Sequence, residues 1–288
     1  MLLSRGEIDP MILVFPSGHN AFGGSFYTNS PHPAVGASET HIMDIIAEVD
    51  STFNTNATSA GRAIGGHSMG SYGAFRIALS HPNMFISVAA IAGPLTLWGT
   101  MPADSQYMGV AELLPAMLAE TGYDSVLAVN PAGDLAAYQE MMYPTPERRL
   151  TSFLFAAAAA FSPTDPSSPT ESSTALGVDL PVGINGNIHT PTWERWMAND
   201  VLARFDAGQD ANLAGVNVFL DAGDMDDLGF NHSHQVFAGA LALAGMPPSY
   251  AEVYSSNPDS EGGMVEADHT THTFERIKKM LVWASSIF

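Results

Sequence analysis

A pentapeptide in the first third of the chain carries residues that could supply a nucleophile. It reads Gly66-His67-Ser68-Met69-Gly70 and has apolar residues on both sides. A serine in a sharp turn between a strand and a helix exposes its hydroxyl group. We expect both glycines to be needed, because neither has a Cβ atom to clash in the turn. The pattern predicts a nucleophile elbow with Ser68 as the nucleophile; the alternative is a strand-to-helix turn without chemistry.

The same turn predicts one donor for a developing negative charge. The backbone N–H of Met69 would point at the oxyanion formed when Ser68 attacks a carbonyl group. The positive end of the following helix would stabilise that charge further. We therefore expect Met69 to form part of an oxyanion hole.

A serine nucleophile needs a histidine to take its proton and a carboxylate to orient the histidine. In folds with this elbow the three residues follow in the order Ser, Asp, His, on loops beyond the carboxyl ends of strands. The turn after the apolar run 216–220 contains four aspartates: Asp221, Asp224, Asp226 and Asp227. We favour Asp226, because the turn at Gly223 leaves room for its side chain to reach across. Asp224 and Asp227 remain alternatives.

Two histidines lie in the loop before the last helix, at His269 and His272. We favour His272 as the base, because it adjoins the helix and should be better anchored. His269 remains the alternative. His67 occupies the variable position of the elbow, where a packing role is expected.

Strands and helices are expected to alternate around these residues. Apolar runs predict strands at 11–15, before the elbow, and at 86–92, 216–220 and 250–254. Such alternation is typical of an α/β fold with a parallel sheet. We expect one domain over 1–288, with a core of 1–94 and 181–288.

The pattern between 95 and 180 is helical, without a convincing strand. The clearest helices are expected at 111–120 and 148–161, and 162–173 reads as a loop. An all-helical insertion after a sheet strand is a candidate lid that covers a site and excludes water. Additional packing against the sheet is the alternative.

The charge and composition of the chain exclude several classes of partner. Its 288 residues include 30 acidic and 10 basic side chains, a net charge of -20. Nucleic acids and anionic membrane surfaces bind to basic patches, so neither is expected as a partner. No apolar run reaches membrane-spanning length, and the first residues lack a signal-peptide pattern. There are no cysteines, which excludes thiol catalysis and disulfides.

A metal site is the alternative interpretation of this region. Asp224-x-Asp226 resembles the start of an EF-hand loop, but Leu228 and Gln235 stand where oxygen ligands would be required. The stretch 231–234 contains two histidines that could be ligands. The elbow accounts better for this region, so we predict no metal site.

These residues together resemble the putative-esterase family of α/β-hydrolases. That family includes esterase D (S-formylglutathione hydrolase), tributyrin-type esterases and feruloyl or acetyl-xylan esterases. The matching stretches are residues 10–18, 25–29, 61–74, 220–227, and His272-x-Phe274. The resemblance implies an α/β-hydrolase fold and ester hydrolysis without a cofactor. It also implies Ser68 as nucleophile, Asp226 as triad acid and His272 as base.

The beginning of the chain departs from the family pattern. Family members usually have further strands first, one of them ending in a Leu-His-Gly-type loop that gives the second oxyanion N–H. Either that part is absent, or the run 11–15 takes the central place and Ser17-Gly18-His19 supplies the donor, for which we name Gly18. An unpaired strand at this edge would favour a homodimer.

The sequence thus predicts a serine carboxylesterase that acts on small or medium acyl esters through an acyl-enzyme on Ser68. Two alternatives remain open. One is a hydrolase fold with little or no activity that binds a ligand or self-associates. The other is an acyltransferase that uses the same three residues.

Overall fold

The computed structural model describes most of the chain, in two compact units. It describes residues 2–97, 133–142, 148–181, 188–255, 257–258, 264–265 and 267–288. The first unit comprises 1–16, 45–107 and 200–288, and the second comprises 17–44 and 108–199. These bounds differ from the predicted core and insertion, because the second unit also takes in 17–44. The single domain therefore stays a prediction.

The first unit is built on a four-stranded parallel sheet. Its strands are β1 (Ala63–His67), β2 (Ser87–Ile91), β3 (Asn217–Gly223) and β4 (Tyr250–Tyr254). They lie side by side in the order β1-β2-β3-β4, and each neighbouring pair is parallel. The four strands fall where the apolar runs predicted them, which confirms the α/β class with a parallel sheet. A short antiparallel pair follows, β5 (Asn257–Pro258) with β6 (Met264–Val265).

Eight α-helices lie in the described residues, and they belong to both units. They are α1 (Ser38–Thr52), α2 (Met69–Ser80), α3 (Leu135–Met142), α4 (Arg149–Phe161), α5 (Thr190–Met197), α6 (Val201–Arg204), α7 (Phe230–Leu243) and α8 (Thr273–Ser285). Short 3₁₀ or π turns lie at Leu3–Arg5, Ser59–Gly61, Phe205–Gln209 and Asp210–Leu213. No helix in the described ranges is long and apolar enough to cross a membrane.

The middle strands of the sheet form the core of the first unit. Every residue of β2 is buried, as is nearly all of β3, because both strands have neighbours on each side. Phe219 of β3 stacks on Tyr250 of β4 with ring centroids 4.4 Å apart, and Trp283 of α8 packs against it at 5.2 Å. Phe75 of α2 and Phe237 of α7 meet edge to face at 5.1 Å. These aromatic contacts fix the helices that carry or flank the site.

The predicted strand at 11–15 is wrong. The segment has no strand structure, and Phe15 is 80% exposed. An apolar run becomes a buried strand only where it gains backbone partners and a covering layer. Within the described residues the sheet ends at β1, and no strand pairs with 11–15. The run therefore does not take a central place in this sheet.

The second unit is mainly helical. The predicted helix at 148–161 is confirmed as α4, whose five consecutive alanines are all buried. Residues 162–173 form the expected loop, with isolated bridges only, while the helix expected at 111–120 lies outside the described residues. Trp196 of α5 is buried and donates from Nε1 to the Ser162 hydroxyl at 2.8 Å. The lid role of this region stays a prediction.

A buried ion pair joins α8 to β3. Arg276 is 3% exposed and Asp221 is fully buried. The guanidinium donates from Nε to Asp221 Oδ1 at 2.6 Å and from Nη2 to the Asp221 backbone carbonyl at 3.2 Å. It also lies over the ring of Tyr254, 5.0 Å from the centroid. Arg276 thus holds the last helix against the ends of β3 and β4.

Replacing Arg276 by methionine should destabilise the protein strongly. The substitution keeps most of the side-chain volume but leaves the Asp221 carboxylate buried without its main partner, which costs about 3–5 kcal/mol. Urea unfolding followed by circular dichroism measures the loss. The matched control is Lys278→Met on the same helix, where an exposed pair with Glu275 is removed at a cost below about 1 kcal/mol. Equal losses in the two variants would contradict the structural role of Arg276.

Candidate active site

Ser68 lies in the sharp turn between β1 and α2. Its backbone has φ 55° and ψ −120°, a conformation that non-glycine residues rarely adopt. Two backbone bonds hold it there: the Ser68 N–H donates to the Ile91 carbonyl at 2.9 Å, and the Ser68 carbonyl accepts from the Ser71 N–H at 2.9 Å. Strain of this kind costs about 1–3 kcal/mol and persists only where the surroundings enforce it. The turn has the expected elbow geometry.

Only one of the two flanking glycines is required for the turn. A Cβ atom on Gly66 would lie 2.3 Å from the carbonyl carbon of Gly70, so no larger residue fits at Gly66. A Cβ atom on Gly70 would meet nothing within 4 Å, so the expected clash at Gly70 is wrong. The second position that must be glycine is Gly93, where a Cβ atom would lie 2.2 Å from the Cβ atom of Ser71.

The histidine that reaches Ser68 is His269. Its Nε2 atom lies 2.9 Å from Ser68 Oγ, and its Nδ1 atom lies 3.0 Å from Asp226 Oδ2. The side chain of His269 is 7% exposed and that of Asp226 is fully buried. The three side chains form a continuous hydrogen-bonded chain in the order nucleophile, base, acid.

The preference for His272 is therefore corrected. His272 is exposed and adopts a left-handed conformation, with φ 56°, directly before α8. Its Nδ1 atom lies 3.8 Å from Glu275 Oε2 on the next turn of the helix. Adjacency to the helix anchors His272, but at a point where its side chain faces solvent and not Ser68.

A turn signal in the sequence could have identified His269. The Asp268 Oδ1 atom accepts the backbone N–H groups of Thr270 and Thr271. An aspartate that accepts from the backbone two and three residues later closes a tight turn. The sequence Asp-His-Thr-Thr therefore marks an anchored loop around His269 that does not depend on the helix.

Among the aspartates of the β3 turn, Asp226 is the one brought to the site. Its Oδ1 atom accepts the Leu228 N–H at 2.9 Å, while Oδ2 faces the imidazole. Asp224 and Asp227 are exposed. Asp226 is thus the aspartate that contacts His269, and its role as triad acid stays a prediction.

Backbone contact between two loops brings Asp226 and His269 together. The Met225 N–H donates to the Ala267 carbonyl at 3.0 Å, two residues before His269. A Cβ atom on Gly223 would lie only 1.9 Å from the same carbonyl oxygen. The loop after β3 and the segment leading to His269 can therefore approach this closely only because residue 223 is glycine.

Two further histidines lie near Ser68, His269 and Asp226: His234 is buried, and His67 is half-buried. The His67 Nε2 atom lies 2.8 Å from the backbone carbonyl of His269, and burial lowers the pKa of His67. His234 is 2% exposed and accepts the Gly93 N–H at Nε2, at 2.9 Å. Burial lowers the pKa of His234 to about 3, so this imidazole is neutral at physiological pH. Neither ring carries a charge into the site.

The two predicted oxyanion donors lie in different units. Met69 is the first residue of α2, directly after Ser68, so the positive end of the helix faces the nucleophile. Gly18 belongs to the second unit, where its carbonyl accepts the Ser25 N–H at 2.9 Å. The roles of Met69 and Gly18 as donors stay predictions.

The metal interpretation gains no support from side-chain placement. Among the described residues no group of three or more His, Asp or Glu side chains could hold a metal ion. Asp226, the second aspartate of the EF-hand-like stretch, directs its oxygens to Leu228 and His269.

Comparison with known proteins shows a family that part of this chain resembles. Residues 2–130 match the model of the family described as Putative esterase. Two curated proteins of Mycobacterium tuberculosis, Esterase MT1326 and Esterase Rv1288, are 35% identical to this chain over 91 residues. The match covers 31% of this chain and 19% of each relative. The chain thus spans about a fifth of the length of the curated relatives it matches.

The chain is also similar to solved structures. A ferulic acid esterase superposes on 100% of this chain and 75% of its own length, with a TM-score of 0.55 and 15% sequence identity. A fluorophosphonate-binding serine hydrolase of Staphylococcus aureus covers 91% of this chain and 68% of its own length, at a TM-score of 0.49 and 13% identity. The likeness to the ferulic acid esterase and the parallel sheet confirm the predicted α/β-hydrolase fold.

Acid should destabilise the folded chain through His234. Its pKa is about 3 in the folded state against 6.5 for a free histidine, so below pH 6.5 the unfolded chain binds more protons. Stability should therefore fall as the pH drops from 6.5 towards 3, with a contribution from this residue approaching about 1.4 kcal/mol per pH unit. Urea unfolding at several pH values measures the slope.

The matched variant for that measurement is His234→Gln, whose carboxamide oxygen can still accept the Gly93 N–H. It should have a shallower slope than the wild type between pH 6 and 4. An unchanged slope in His234→Gln would contradict the assignment.

Proposed function

We propose that this chain, whose residues 2–130 match the model of the putative-esterase family, is a serine carboxylesterase of small or medium acyl esters. The observation that carries the proposal is the pair of hydrogen bonds made by His269, to Ser68 at 2.9 Å and to Asp226 at 3.0 Å. A half-buried serine at a strained elbow, next to a buried histidine and carboxylate, fits a nucleophile with its base and orienting acid.

The first half of the reaction forms an acyl-enzyme. His269 Nε2 takes the proton from Ser68 Oγ as that oxygen attacks the ester carbonyl carbon. The Nδ1–H of His269 donates to Asp226, which fixes the tautomer and stabilises the imidazolium. The tetrahedral intermediate then collapses, the carbon–oxygen bond to the alcohol breaks, and His269 returns the proton to the departing alkoxide.

The second half releases the acid. Water enters in place of the alcohol, gives a proton to His269 and attacks the acyl carbon. The Ser68 ester bond breaks, and Ser68 recovers its proton from His269. In both halves the Met69 N–H holds the oxyanion, and a second backbone donor is needed beside it. Removing one such donor costs about 10²–10³ in turnover, so the second donor decides how active the enzyme is.

Hydrolysis of p-nitrophenyl acetate and butyrate tests the proposal. Ser68→Ala and His269→Ala should each lower kcat by about 10³-fold or more, because the nucleophile and its base act as one unit. His272→Ala is the matched control, since it removes the neighbouring histidine from an exposed position, and it should keep nearly full activity. Loss of activity in His272→Ala with retention in His269→Ala would overturn the assignment.

Product analysis in the same assay separates hydrolysis from acyl transfer. With an added alcohol, a hydrolase yields mainly the free acid and a transferase yields mainly the new ester. A folded wild-type chain without turnover on either ester would contradict the enzyme proposal and favour the binding-only alternative.

We propose in addition that copies of the chain self-associate through the first unit. Two observations support this: the outer edge of β1 has no strand partner among the described residues, and the apolar run at 12–15 is exposed. Light scattering should give a dimer mass for the wild type and a monomer mass for Phe15→Lys. The control is Phe53→Lys, which places the same charge at another exposed phenylalanine. A wild type that is monomeric at all concentrations would contradict this proposal.

A further inference from the structure

We propose that His67 is a positioning residue, which holds the base His269 in place through the backbone carbonyl of His269. The inference rests on the proposed function, because it assigns to His67 the task of aligning the base with the nucleophile. His67 is the variable residue of the elbow, and its imidazole contacts the main chain of His269 at 2.8 Å.

The carbonyl oxygen of His269 accepts from two sides. His67 Nε2 reaches it from β1 at 2.8 Å, and Arg276 Nη1 reaches it from α8 at 3.4 Å. A carbonyl oxygen has two lone pairs and can accept both donors. The shorter contact comes from His67. The guanidinium of Arg276 also donates from Nε to Asp221 Oδ1 at 2.6 Å. His67 is therefore the stronger of the two restraints on this backbone group.

The position of His67 in the chain makes the restraint specific to the reacting pair. His67 is covalently joined to Ser68, so a bond from His67 to the backbone of His269 links the nucleophile and the base directly. The two residues it connects are 202 positions apart in sequence. Without this bond, the backbone of His269 would be held by the longer contact from Arg276 and by the packing of its own loop. A displacement of about 1 Å between reacting groups can lower turnover about 10²-fold.

The charge state of His67 suits this task. Because a carbonyl oxygen only accepts, Nε2 must carry the hydrogen. Burial lowers the pKa of His67, so the ring is neutral and donates without a positive charge. The two imidazole rings lie 5.0 Å apart, centroid to centroid. A cationic His67 at that distance would oppose the imidazolium that forms on His269 during the reaction.

Three substitutions at this position separate hydrogen bonding from packing. His67→Gln retains a side-chain N–H at a similar reach. His67→Met has a similar volume but no donor, and His67→Asn keeps an amide that is too short to reach the carbonyl. Circular dichroism and urea unfolding identify which variants are folded, and His67→Asn replaces His67→Met if the latter is not.

Two readouts are measured on each variant. The first is kcat and KM for p-nitrophenyl butyrate. The second is the downfield proton NMR signal of the His269 Nδ1–H that Asp226 accepts, which reports the alignment of the base without requiring turnover. We expect His67→Met and His67→Asn to lower kcat about 10- to 100-fold with KM changed less than about twofold. Both should shift or broaden the NMR signal, and His67→Gln should restore both readouts.

The outcomes separate this inference from the proposed function. A wild type without esterase activity would defeat the proposed function, and the NMR signal would still test the restraint by His67. Wild-type kcat and an unchanged signal in His67→Met or His67→Asn would overturn the inference. Equal losses in all three variants, His67→Gln included, would also overturn it, because they would point to ring packing.

Discussion

The parallel alignment of β1 to β4 is the constraint on which the candidate site depends. Because parallel strands all end at the same edge, the segments that follow β1, β3 and β4 begin close together. Ser68 follows β1 directly, Asp226 lies three residues after the end of β3, and His269 lies beyond the β5–β6 pair. Each side chain is distant from the others in sequence, and only the common edge brings them within hydrogen-bond distance.

The site is supported from the interior by polar groups that are costly to bury. Arg276 and Asp221 neutralise each other, and the same guanidinium reaches the backbone of His269. His67 and His234 are kept neutral by burial, which lowers the pKa of each. Neutral rings can make directed hydrogen bonds without adding charge near the base. The interior behind the site therefore restrains its geometry and leaves Asp226 as the carboxylate that His269 faces.

The fold and most of the site could be predicted from the sequence. The elbow, the four parallel strands and Asp226 follow from local signals: apolar runs, a glycine-bounded serine, and a glycine turn after a strand. Such signals work because the backbone conformation they demand is decided by adjacent residues. Gly66 is one example, since its missing Cβ atom is required by Gly70, four residues away.

Four features were decided by tertiary structure alone. His269 and His272 are three residues apart, and only the packing of the loop against Gly223 determines which of them faces Ser68. The glycine needed beside Ser71 proved to be Gly93, on the neighbouring strand end, and not Gly70. The run at 11–15 has the composition of a buried strand but lacks a strand partner among the described residues. The bond from His67 to His269 has no counterpart in any local pattern.

What the sequence by itself determined is therefore the set of elements and the chemistry that they could carry: a parallel α/β sheet, a serine at its elbow, and an aspartate and a histidine on later loops. The tertiary structure decided which histidine contacts the serine and whether an apolar run enters the sheet. The physical reason is the sequence separation over which each kind of interaction acts. Backbone conformation and hydrophobic periodicity depend on neighbours in the chain. Burial and hydrogen bonding depend on groups that are distant in sequence, such as His67 and His269, which are 202 residues apart.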